Sequence, residues 1–428
     1  MINRPQPVIA SYARSPFGLP KKGSLGNTHP VYLGGPALRT AVEKAGLYTT
    51  DFQKAIVGCA TQTGSQGINV SRRVMKEAFG ANAVPIYSKT VNVSCASSMD
   101  AAIEAATDIL SGRHKFVLVG GIESNSFKQA PPGSDALLPP VNLKNIFKNL
   151  LISFKYRANP TRRNDELVKL TMPPDQRFFQ MHDSGDYLAR IKNYTRKELN
   201  EFAYVSFARA IHAANTGLFE DELVRVDLPG NKGYVKRDET IREDTSLFAL
   251  SKLKSTIRDG FHTAGNSSQV GVGASALVIG SEEEALNHSI KPLAKIIGWA
   301  QTGTDPGIGQ LLGLLEAVQA ALADAGLTVD DIDLWEINEA FAAEVLVVKD
   351  HYKLDVDKIN VNGGAIAISH PFGATGARII GHLALEMQRR AHEIEQKGLN
   401  EKKPRYGVAT LCVAQGLGAG VVLERYEN

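Results

Sequence analysis

Cysteine is scarce in this 428-residue chain, and its distribution does not fit a disulfide framework. Only Cys59, Cys95 and Cys412 occur. An odd, sparse set of cysteines favours a reducing compartment over a secreted, cross-linked protein. No cysteine or histidine pair has the spacing of metal ligands, so we expect no metal site.

A strong charge of either sign is also missing, as is any long apolar segment. The 48 lysine and arginine residues nearly balance the 45 aspartate and glutamate residues, which leaves a net charge of +3. This excess is too small to predict nucleic-acid binding, and it suits an anionic small ligand equally well. No secretory signal or membrane span is visible, and strand-like residues begin at Pro7, which leaves no room for a transit peptide. We therefore predict a cytoplasmic protein.

The first part of the chain alternates short apolar runs with amphipathic segments. At 428 residues the chain is too long for one compact core, so two or three domains are expected. The alternation predicts an α/β fold with an open, largely parallel sheet and helices on both faces. The expected strands are 8–13, 55–59, 90–93 and 116–120, and the expected helices are 34–46, 69–79 and 101–110.

Between residues 123 and 250 the alternation stops, and we interpret this segment as an inserted loop domain. Within it, residues 137–163 carry six basic side chains and no acidic one, with apolar residues at helical spacing. Such a basic amphipathic helix can lie on an anionic membrane surface, dock on a partner or pack on its own domain. A clearer amphipathic helix is expected at 198–214, with Thr195 as its N-cap.

The alternation resumes after the loop domain and repeats the layout of the first part. We therefore predict two similar halves, residues 1–285 with the loop domain and residues 286–428. The expected strands are 270–280, 293–299, 332–338 and 359–361, with a closing antiparallel pair at 408–412 and 418–424. The expected helices are 281–285, 309–326, 339–349 and 373–396.

The segment 91–102 changes from strand-like to helix-like residues at Cys95. A cysteine at a helix N-terminus faces backbone N–H groups and the positive end of the helix dipole, which stabilise a thiolate and lower the thiol pKa. A thiolate in that place is a good nucleophile. The alternative is a small buried cysteine that only fills space, and this segment alone does not separate the two.

His370 is the only histidine in a glycine-rich context. It lies within residues 362–378, where small residues precede and follow it. Small residues at this density indicate close backbone packing or the close approach of a ligand. A lone histidine is usually structural, but this context favours a general base or an oxyanion donor.

Two further motifs follow predicted strands, where α/β proteins place ligands. Asn338 begins the segment N-E-A-F-A and can hold a water or an oxyanion, although a helix N-cap is the commoner use of such a residue. Cys412 enters a glycine-containing turn, in which a thiol can shuttle a proton and N–H groups can face an oxyanion. With Cys95 and His370, these residues suggest acyl transfer through a thioester.

The four motifs together resemble the thiolase family, from about Pro7 to Glu424. The most specific of them is G-G-x-I-A-x-x-H-P-x-G-A-T-G-A-R around His370, and N-E-A-F and the final Cys–Gly turn occur in the family's order. The resemblance implies a thiolase-like fold, in which two similar β-α-β-α-β-α-β-β halves are packed together with an inserted loop domain.

The resemblance also implies a role for each motif. Cys95 matches the acylated nucleophile, and His370 matches the histidine that activates it and lines an oxyanion hole. Cys412 matches the cysteine that acts as acid and base. Asn338 matches the asparagine that positions a catalytic water. The backbone N–H groups of Cys95 and Ala414 match the other oxyanion hole.

By the same resemblance, the substrates would be CoA thioesters. A 3-oxoacyl-CoA and coenzyme A would give acetyl-CoA and a shortened acyl-CoA, with coenzyme A as a substrate and no metal or redox cofactor. Ser268 lies in a turn that resembles the family's pantetheine-contacting turn, and Met181 and Phe341 are the other candidates for substrate and CoA binding. Family members are usually homodimers or homotetramers.

The loop domain and the form H-P-F-G-A-T-G-A-R resemble most the thiolases of β-oxidation complexes. That subgroup implies a hydratase/dehydrogenase partner subunit or a peripheral membrane contact through residues 137–163. An acetyl-CoA acetyltransferase would use the same residues, and a non-catalytic acyl-CoA-binding or scaffold subunit would not need them intact. Ala414 and Gln415 stand where the family usually has glycine, and Gln415 is expected to narrow the site.

Overall fold

The computed structural model describes residues 4–20, 22–124, 181–305 and 310–427. The basic segment 137–163 lies outside these residues, so its expected amphipathic helix stays a prediction. The described strands are β1 (Pro7–Arg14), β2 (Lys54–Gly58), β3 (Tyr87–Val91), β4 (Phe116–Ser124), β5 (Val226–Asp227), β6 (Tyr234–Val235), β7 (Val272–Ser281), β8 (Ala294–Gly303), β9 (Leu334–Ile337), β10 (Tyr406–Val413) and β11 (Leu417–Arg425).

The described helices match most of the expected ones, with shifts of a few residues at their ends. They are α1 (Pro30–Lys44), α2 (Val70–Phe79), α3 (Ser97–Leu110), α4 (Met181–Ile191), α5 (Arg196–Asn215), α6 (Leu247–Lys252), α7 (Glu282–Asn287), α8 (Gly313–Ala325), α9 (Ala342–Tyr352), α10 (Ala365–Ile368) and α11 (Phe372–Lys397).

Nine strands form one mixed sheet in the order β3-β2-β4-β7-β1-β8-β11-β10-β9. Only the β2–β3, β2–β4 and β9–β10 pairs are parallel, so the expectation of a largely parallel sheet is wrong. The reason is that β7 and β11 each return between two strands of their own half and run antiparallel to both. The two halves therefore repeat one layout, and they join through the β1–β8 ladder.

Helices cover both faces of this sheet, as predicted. In β4, Val117 and Val119 belong to the apolar cluster around α3 and α11, whereas Phe116 and Leu118 belong to the cluster with α1 and α2. This split follows from the alternation of side chains along a strand. Helices α3 and α11 also pack against each other and against strands of both halves. They form a shared inner layer, and the site lies at their N-terminal ends.

One helix of the loop domain confirms the prediction in detail. Helix α5 begins after Thr195, whose hydroxyl accepts the Glu198 N–H, while the Glu198 side chain accepts the Thr195 N–H. This reciprocal capping box satisfies N–H groups that the first turn leaves without partners. The buried face of α5 packs in the same apolar cluster as α9, which follows Asn338 in the chain. The loop domain is thereby anchored beside the candidate site.

The strand expected at 359–361 is not formed. Ile359 makes only an isolated bridge to Trp335. The Asn360 side chain instead accepts the Ile337 N–H and donates to the Ile337 carbonyl, both at 2.8 Å. A side-chain amide thus replaces the backbone groups of a neighbouring strand. The chain can then turn away from the sheet toward His370.

Candidate active site

Cys95 lies on a tight connection between β3 and α3. A short 3-10 turn, Ser94–Ala96, runs directly into α3. Ser94 has a φ of 45°, and its N–H is held by the Asn92 side chain at 3.0 Å. The Ser97 hydroxyl accepts the Val93 N–H at 3.0 Å and donates to the Ser94 carbonyl at 2.6 Å. These side chains stabilise a left-handed residue that few side chains favour, and they fix the Cys95 thiol at the helix N-terminus.

The expected depression of the Cys95 pKa is wrong. Burial and, to a smaller extent, the Glu344 carboxyl together raise the pKa of Cys95 to about 12. The N–H groups of Ala414 and of Cys95 itself act in the opposite direction but do not prevail. Desolvation of a charged sulfur outweighs the helix terminus here. Cys95 is therefore a thiol at rest, and its activation requires a base.

His370 has the hydrogen bonds of a base that is ready to accept a proton. Its Nδ1 lies 2.6 Å from the Thr375 hydroxyl, which donates onward to the Pro371 carbonyl at 2.9 Å. The hydroxyl therefore accepts from Nδ1–H, which leaves the lone pair on Nε2. Burial lowers the pKa of His370 to about 3, so the ring is neutral at physiological pH. Asn338 Nδ2 lies 3.4 Å from Nε2.

Asn338 does not begin a helix. It continues the ladder of β9, since its N–H binds the Thr410 carbonyl of β10 at 2.9 Å, and α9 begins only at Ala342 with Phe341 as its N-cap. The N-cap alternative for Asn338 is therefore wrong. Its side chain is buried, and Oδ1 has no partner among the described residues. A buried polar atom of this kind normally holds a water or a ligand group.

Cys412 is buried in β10, two residues beyond Thr410, and it contacts a carboxyl group. Its N–H donates to Glu344 Oε1 at 3.2 Å. Burial raises the pKa of Cys412 well above its usual value, with further contributions from Glu344 and Cys95. Because Cys95 contributes to the raised pKa of Cys412 and the Ala414 N–H faces Cys95, the β10–β11 turn and the Cys95 turn form one site.

The turn at Ser268 joins this site through backbone hydrogen bonds. The Ser268 N–H binds the Ala340 carbonyl at 3.0 Å, and the His370 N–H binds the Gln269 carbonyl at 2.8 Å. Ser267 forms an isolated bridge with Phe341. Ser268 and Phe341 therefore lie on segments that are joined to each other and to His370 by backbone contacts, and their roles in substrate binding stay predictions.

Met181 is linked to Phe341 through its helix. It is the first residue of α4, and its half-buried side chain packs in the same apolar cluster as Phe341. A Cβ built on Gly185 of α4 would lie 2.9 Å from the Phe341 ring. This close approach requires a glycine and holds α4 against Phe341.

Two residues of the site were missed in the sequence. Thr375 lies inside the glycine-rich motif, but nothing in the sequence indicates its bond to His370. Glu344 had a visible signal, because it is an acidic residue within an otherwise apolar stretch of α9. It is 1% exposed, and burial raises its pKa to about 8.

Left-handed backbone recurs next to three candidate residues. Ser94, Ser369 and Gln415 have φ values of 45°, 81° and 76°. Ser94 directly precedes Cys95, Ser369 directly precedes His370, and Gln415 directly follows Ala414. The Gln415 N–H is held by Gln310 Oε1 at 2.8 Å. Non-glycine residues in this region are strained, and such strain clusters at functional sites.

The surroundings of the site contain no metal-binding cluster within the ranges described above. There, no group of three or more His, Cys, Asp or Glu side chains is arranged to hold an ion. Over the same ranges, no helix is long and apolar enough to cross a membrane. The reactive and polar side chains described at the site are the thiols of Cys95 and Cys412, the His370 imidazole, the Asn338 amide and the Glu344 carboxyl.

Comparison with known proteins identifies the family. The thiolase N-terminal domain matches residues 7–283 and the thiolase C-terminal domain matches residues 290–425. The chain is 36% identical to a 3-ketoacyl-CoA thiolase of Saccharophagus degradans, with 98% of each chain covered. It is 34% identical to an acetyl-CoA acetyltransferase of Rhizobium meliloti, over 99% of this chain and 100% of the relative.

Solved structures give the same result. The crystal structure of human mitochondrial 3-ketoacyl-CoA thiolase matches with a TM-score of 0.79 and 29% identity, over 99% of both chains. That of the Bacillus anthracis acetyl-CoA acetyltransferase matches with a TM-score of 0.80 and 30% identity, also over 99% of both. The chain has the thiolase fold and belongs to the thiolase family of acyltransferases.

Proposed function

We propose that this protein cleaves 3-oxoacyl-CoA with coenzyme A, giving acetyl-CoA and an acyl-CoA shortened by two carbons. The observation that carries the proposal is the convergence of Cys95, Cys412, His370 and Asn338 in one buried centre. The Ala414 N–H faces the Cys95 sulfur. The Asn338 side chain contacts His370, and the Asn338 backbone N–H binds β10, the strand that carries Cys412.

The first half-reaction forms an acyl-enzyme. His370 Nε2 takes the Cys95 proton, and the thiolate attacks the C3 carbonyl of the substrate. The resulting oxyanion collapses, the C2–C3 bond breaks and the acyl group stays on Cys95. The Cys412 thiol then gives its proton to the departing acetyl-CoA enolate, and Cys412 becomes a thiolate. The His370 imidazolium and the Cys412 thiolate balance each other.

The second half-reaction returns both groups to their starting states. The Cys412 thiolate takes the proton of the coenzyme A thiol, and the resulting CoA thiolate attacks the thioester on Cys95. Cys95 leaves as a thiolate and regains its proton from His370. Transfer is therefore of the ping-pong type, with one covalent intermediate. No external oxidant, metal or redox cofactor enters this balance, and coenzyme A acts only as a substrate.

Two groups of donors are suited to the negative charges that form. The N–H groups of Cys95 and Ala414 face the Cys95 sulfur, which supports a role for them in binding an oxyanion on the acyl carbon. Asn338 and His370 form the second group, in which His370 Nε2 becomes a donor once it holds the Cys95 proton and the Asn338 amide orients a water or a thioester oxygen. Donors that are fixed before the reaction stabilise developing charge without reorganisation.

The reverse direction is a second candidate function. Relatives with nearly full coverage are named acetyl-CoA acetyltransferase, and condensation of two acetyl-CoA molecules would use the same residues. Here the Cys412 thiolate takes a proton from the methyl carbon of acetyl-CoA, and the carbanion attacks the acetyl group on Cys95. For either direction we propose a cytoplasmic homodimer or homotetramer, with residues 137–163 available to a hydratase/dehydrogenase partner or to a membrane surface.

Thiolysis across a chain-length series separates these candidates. The substrates are 3-oxoacyl-CoA thioesters from acetoacetyl-CoA upward, and the loss of their enolate absorbance is followed after coenzyme A is added. Activity that rises with chain length is expected for the degradative enzyme. Activity confined to acetoacetyl-CoA would favour the acetyltransferase, and no turnover at any length would contradict both.

A further inference from the structure

Glu344 is a buried acid that the proposed reaction leaves without a task. It lies in the first turn of α9 and is 1% exposed. No ion pair joins it to a basic side chain within the described ranges. A carboxyl group so deeply buried without a cation is unfavourable unless it stays protonated or performs a function.

The two oxygens of Glu344 have different surroundings. Oε1 accepts the Cys412 N–H at 3.2 Å, whereas Oε2 has no partner among the described residues. The carboxyl group also interacts with the Cys412 thiol and acts on Cys95. A neutral carboxyl fits this arrangement, because its carbonyl oxygen accepts one hydrogen bond and its O–H remains free to donate another.

We infer that Glu344 is a positioning residue for Cys412, and that its protonated carboxyl fixes the cysteine and donates a hydrogen bond to the Cys412 thiolate during transfer. The inference rests on the acid–base role proposed for Cys412. When Cys412 protonates the enolate carbon, its S–H bond breaks and a C–H bond forms. The buried sulfur then carries a full charge, and the Glu344 O–H belongs to a carboxyl that already interacts with this thiol and has one oxygen without a described partner. The proton of Glu344 itself stays on Glu344.

The ionised form of Glu344 has the opposite effect. Burial raises the pKa of Glu344 to about 8, so the carboxyl is mostly protonated at pH 7 and becomes charged as the pH rises past that value. A carboxylate beside Cys412 and Cys95 repels a thiolate on either sulfur. Transfer is therefore expected to weaken above pH 8, where most thiol chemistry accelerates.

Few groups surround the Glu344 carboxyl. The Cys412 thiol of β10 and the Cys95 thiol of the β3–α3 turn both interact with it. The N–H groups of Ala340 and Phe341, just before its own helix, face it as well. Glu123 acts on Cys95 but belongs to β4. No lysine or arginine contributes to the pKa shift of Glu344 among these causes.

The test combines two substitutions of the full-length enzyme with a charge control. Glu344→Gln keeps an acceptor for the Cys412 N–H and a donor for the thiolate but cannot ionise. Glu344→Leu removes both. Glu316→Gln makes the same chemical change at an exposed position of α8. The kcat and KM for thiolysis are measured from pH 6 to pH 10.

The wild type and Glu316→Gln are expected to lose kcat as the pH passes about 8, and Glu344→Gln is expected to lack that fall. Glu344→Leu should lower kcat by about tenfold or more at every pH while KM stays within about twofold, because only a transition-state interaction is removed. An alkaline fall unchanged in Glu344→Gln would overturn the inference, as would full kcat in a folded Glu344→Leu.

A second measurement needs no substrate, so it separates this inference from the proposed function. Alkylation of Cys95 by iodoacetamide is located by mass spectrometry and its rate is followed against pH. Wild type and Glu344→Gln should react equally at about pH 6.5, and the variant should react about threefold faster or more at about pH 9, because a like charge is gone. Identical profiles would overturn the inference even if thiolysis were observed.

Discussion

The two halves share one strand layout but end it differently, and each ending delivers a residue to the site. In the N-terminal half, the edge strand β3 pairs with β2 and leads into the Cys95 turn. In the C-terminal half, the corresponding edge is not a strand, because the Asn360 side chain binds Ile337 in its place. The chain there continues through a glycine-rich turn to His370. The two halves thus share one layout, but backbone hydrogen bonds hold the edge of the first half and side-chain hydrogen bonds hold the edge of the second.

This difference explains why the nucleophile and its base have unlike settings. Cys95 precedes a long helix directly and faces backbone N–H groups. His370 is held by backbone bonds to the Ser268 turn and by Thr375. A nucleophile needs stabilisation of its charge, whereas a base needs a fixed tautomer. The two edges meet these separate needs.

The largest expected effect on activity comes from removing the proposed nucleophile, Cys95, which follows the edge strand β3 of the N-terminal half. Cys95→Ala should lower thiolysis by about 10⁴-fold or more, because the proposed acyl-enzyme cannot form without the Cys95 sulfur. Cys59→Ala is the matched control, since Cys59 is also buried and lies just beyond β2. Circular dichroism should show both variants folded. Near-normal turnover of Cys95→Ala would contradict the proposed mechanism.

The next largest effect is on stability, and it concerns the edge of the C-terminal half, where the Asn360 side chain takes the place of a strand. Asn360→Ala leaves the Ile337 N–H and carbonyl without partners and removes a donor at 2.8 Å from Glu339. We expect the free energy of unfolding to fall by roughly 2–4 kcal/mol, since buried polar groups lose their hydrogen bonds.

The control for this substitution lies on the same connection. Asp357→Ala breaks only a surface ion pair with Arg209, so it should change the free energy of unfolding by less than about 1 kcal/mol. Denaturant unfolding measures both variants. Equal values would show that the Asn360 amide does not substitute for a strand.

The smallest effect tests the strain beside His370. Ser369 has a φ of 81° and a hydroxyl without a described partner, so Ser369→Gly removes no hydrogen bond. We expect the protein to gain about 1 kcal/mol in stability, because glycine tolerates this conformation. Thermal unfolding is the measurement. Ala367→Gly in α10 should instead destabilise the protein, and the same sign for both variants would exclude strain at Ser369.

The expected helices and the antiparallel end pair were largely right because their patterns are local. The Thr195 capping box and the apolar face of α5 lie within one stretch of sequence. The strand expected at 359–361 was wrong because its replacement depends on Asn360 contacting Ile337, a residue 23 positions away. The antiparallel direction of β7 was not predicted for a similar reason. This strand follows the loop domain, so its direction depends on a long connection and not on the residues of the strand.

The sequence by itself determined the family, and it predicted the two-half layout and the motif residues Cys95, Asn338, His370 and Cys412, but not Thr375 or Glu344. Glycine-rich turns and a cysteine at a helix start are local features that periodicity and residue type express directly. Tertiary structure alone decided the protonation states. Burial raises the pKa of Cys95 and lowers that of His370, and Glu344 reaches Cys412 across 68 residues. Desolvation and long-range contact set these properties, and neither is encoded in any single stretch of chain.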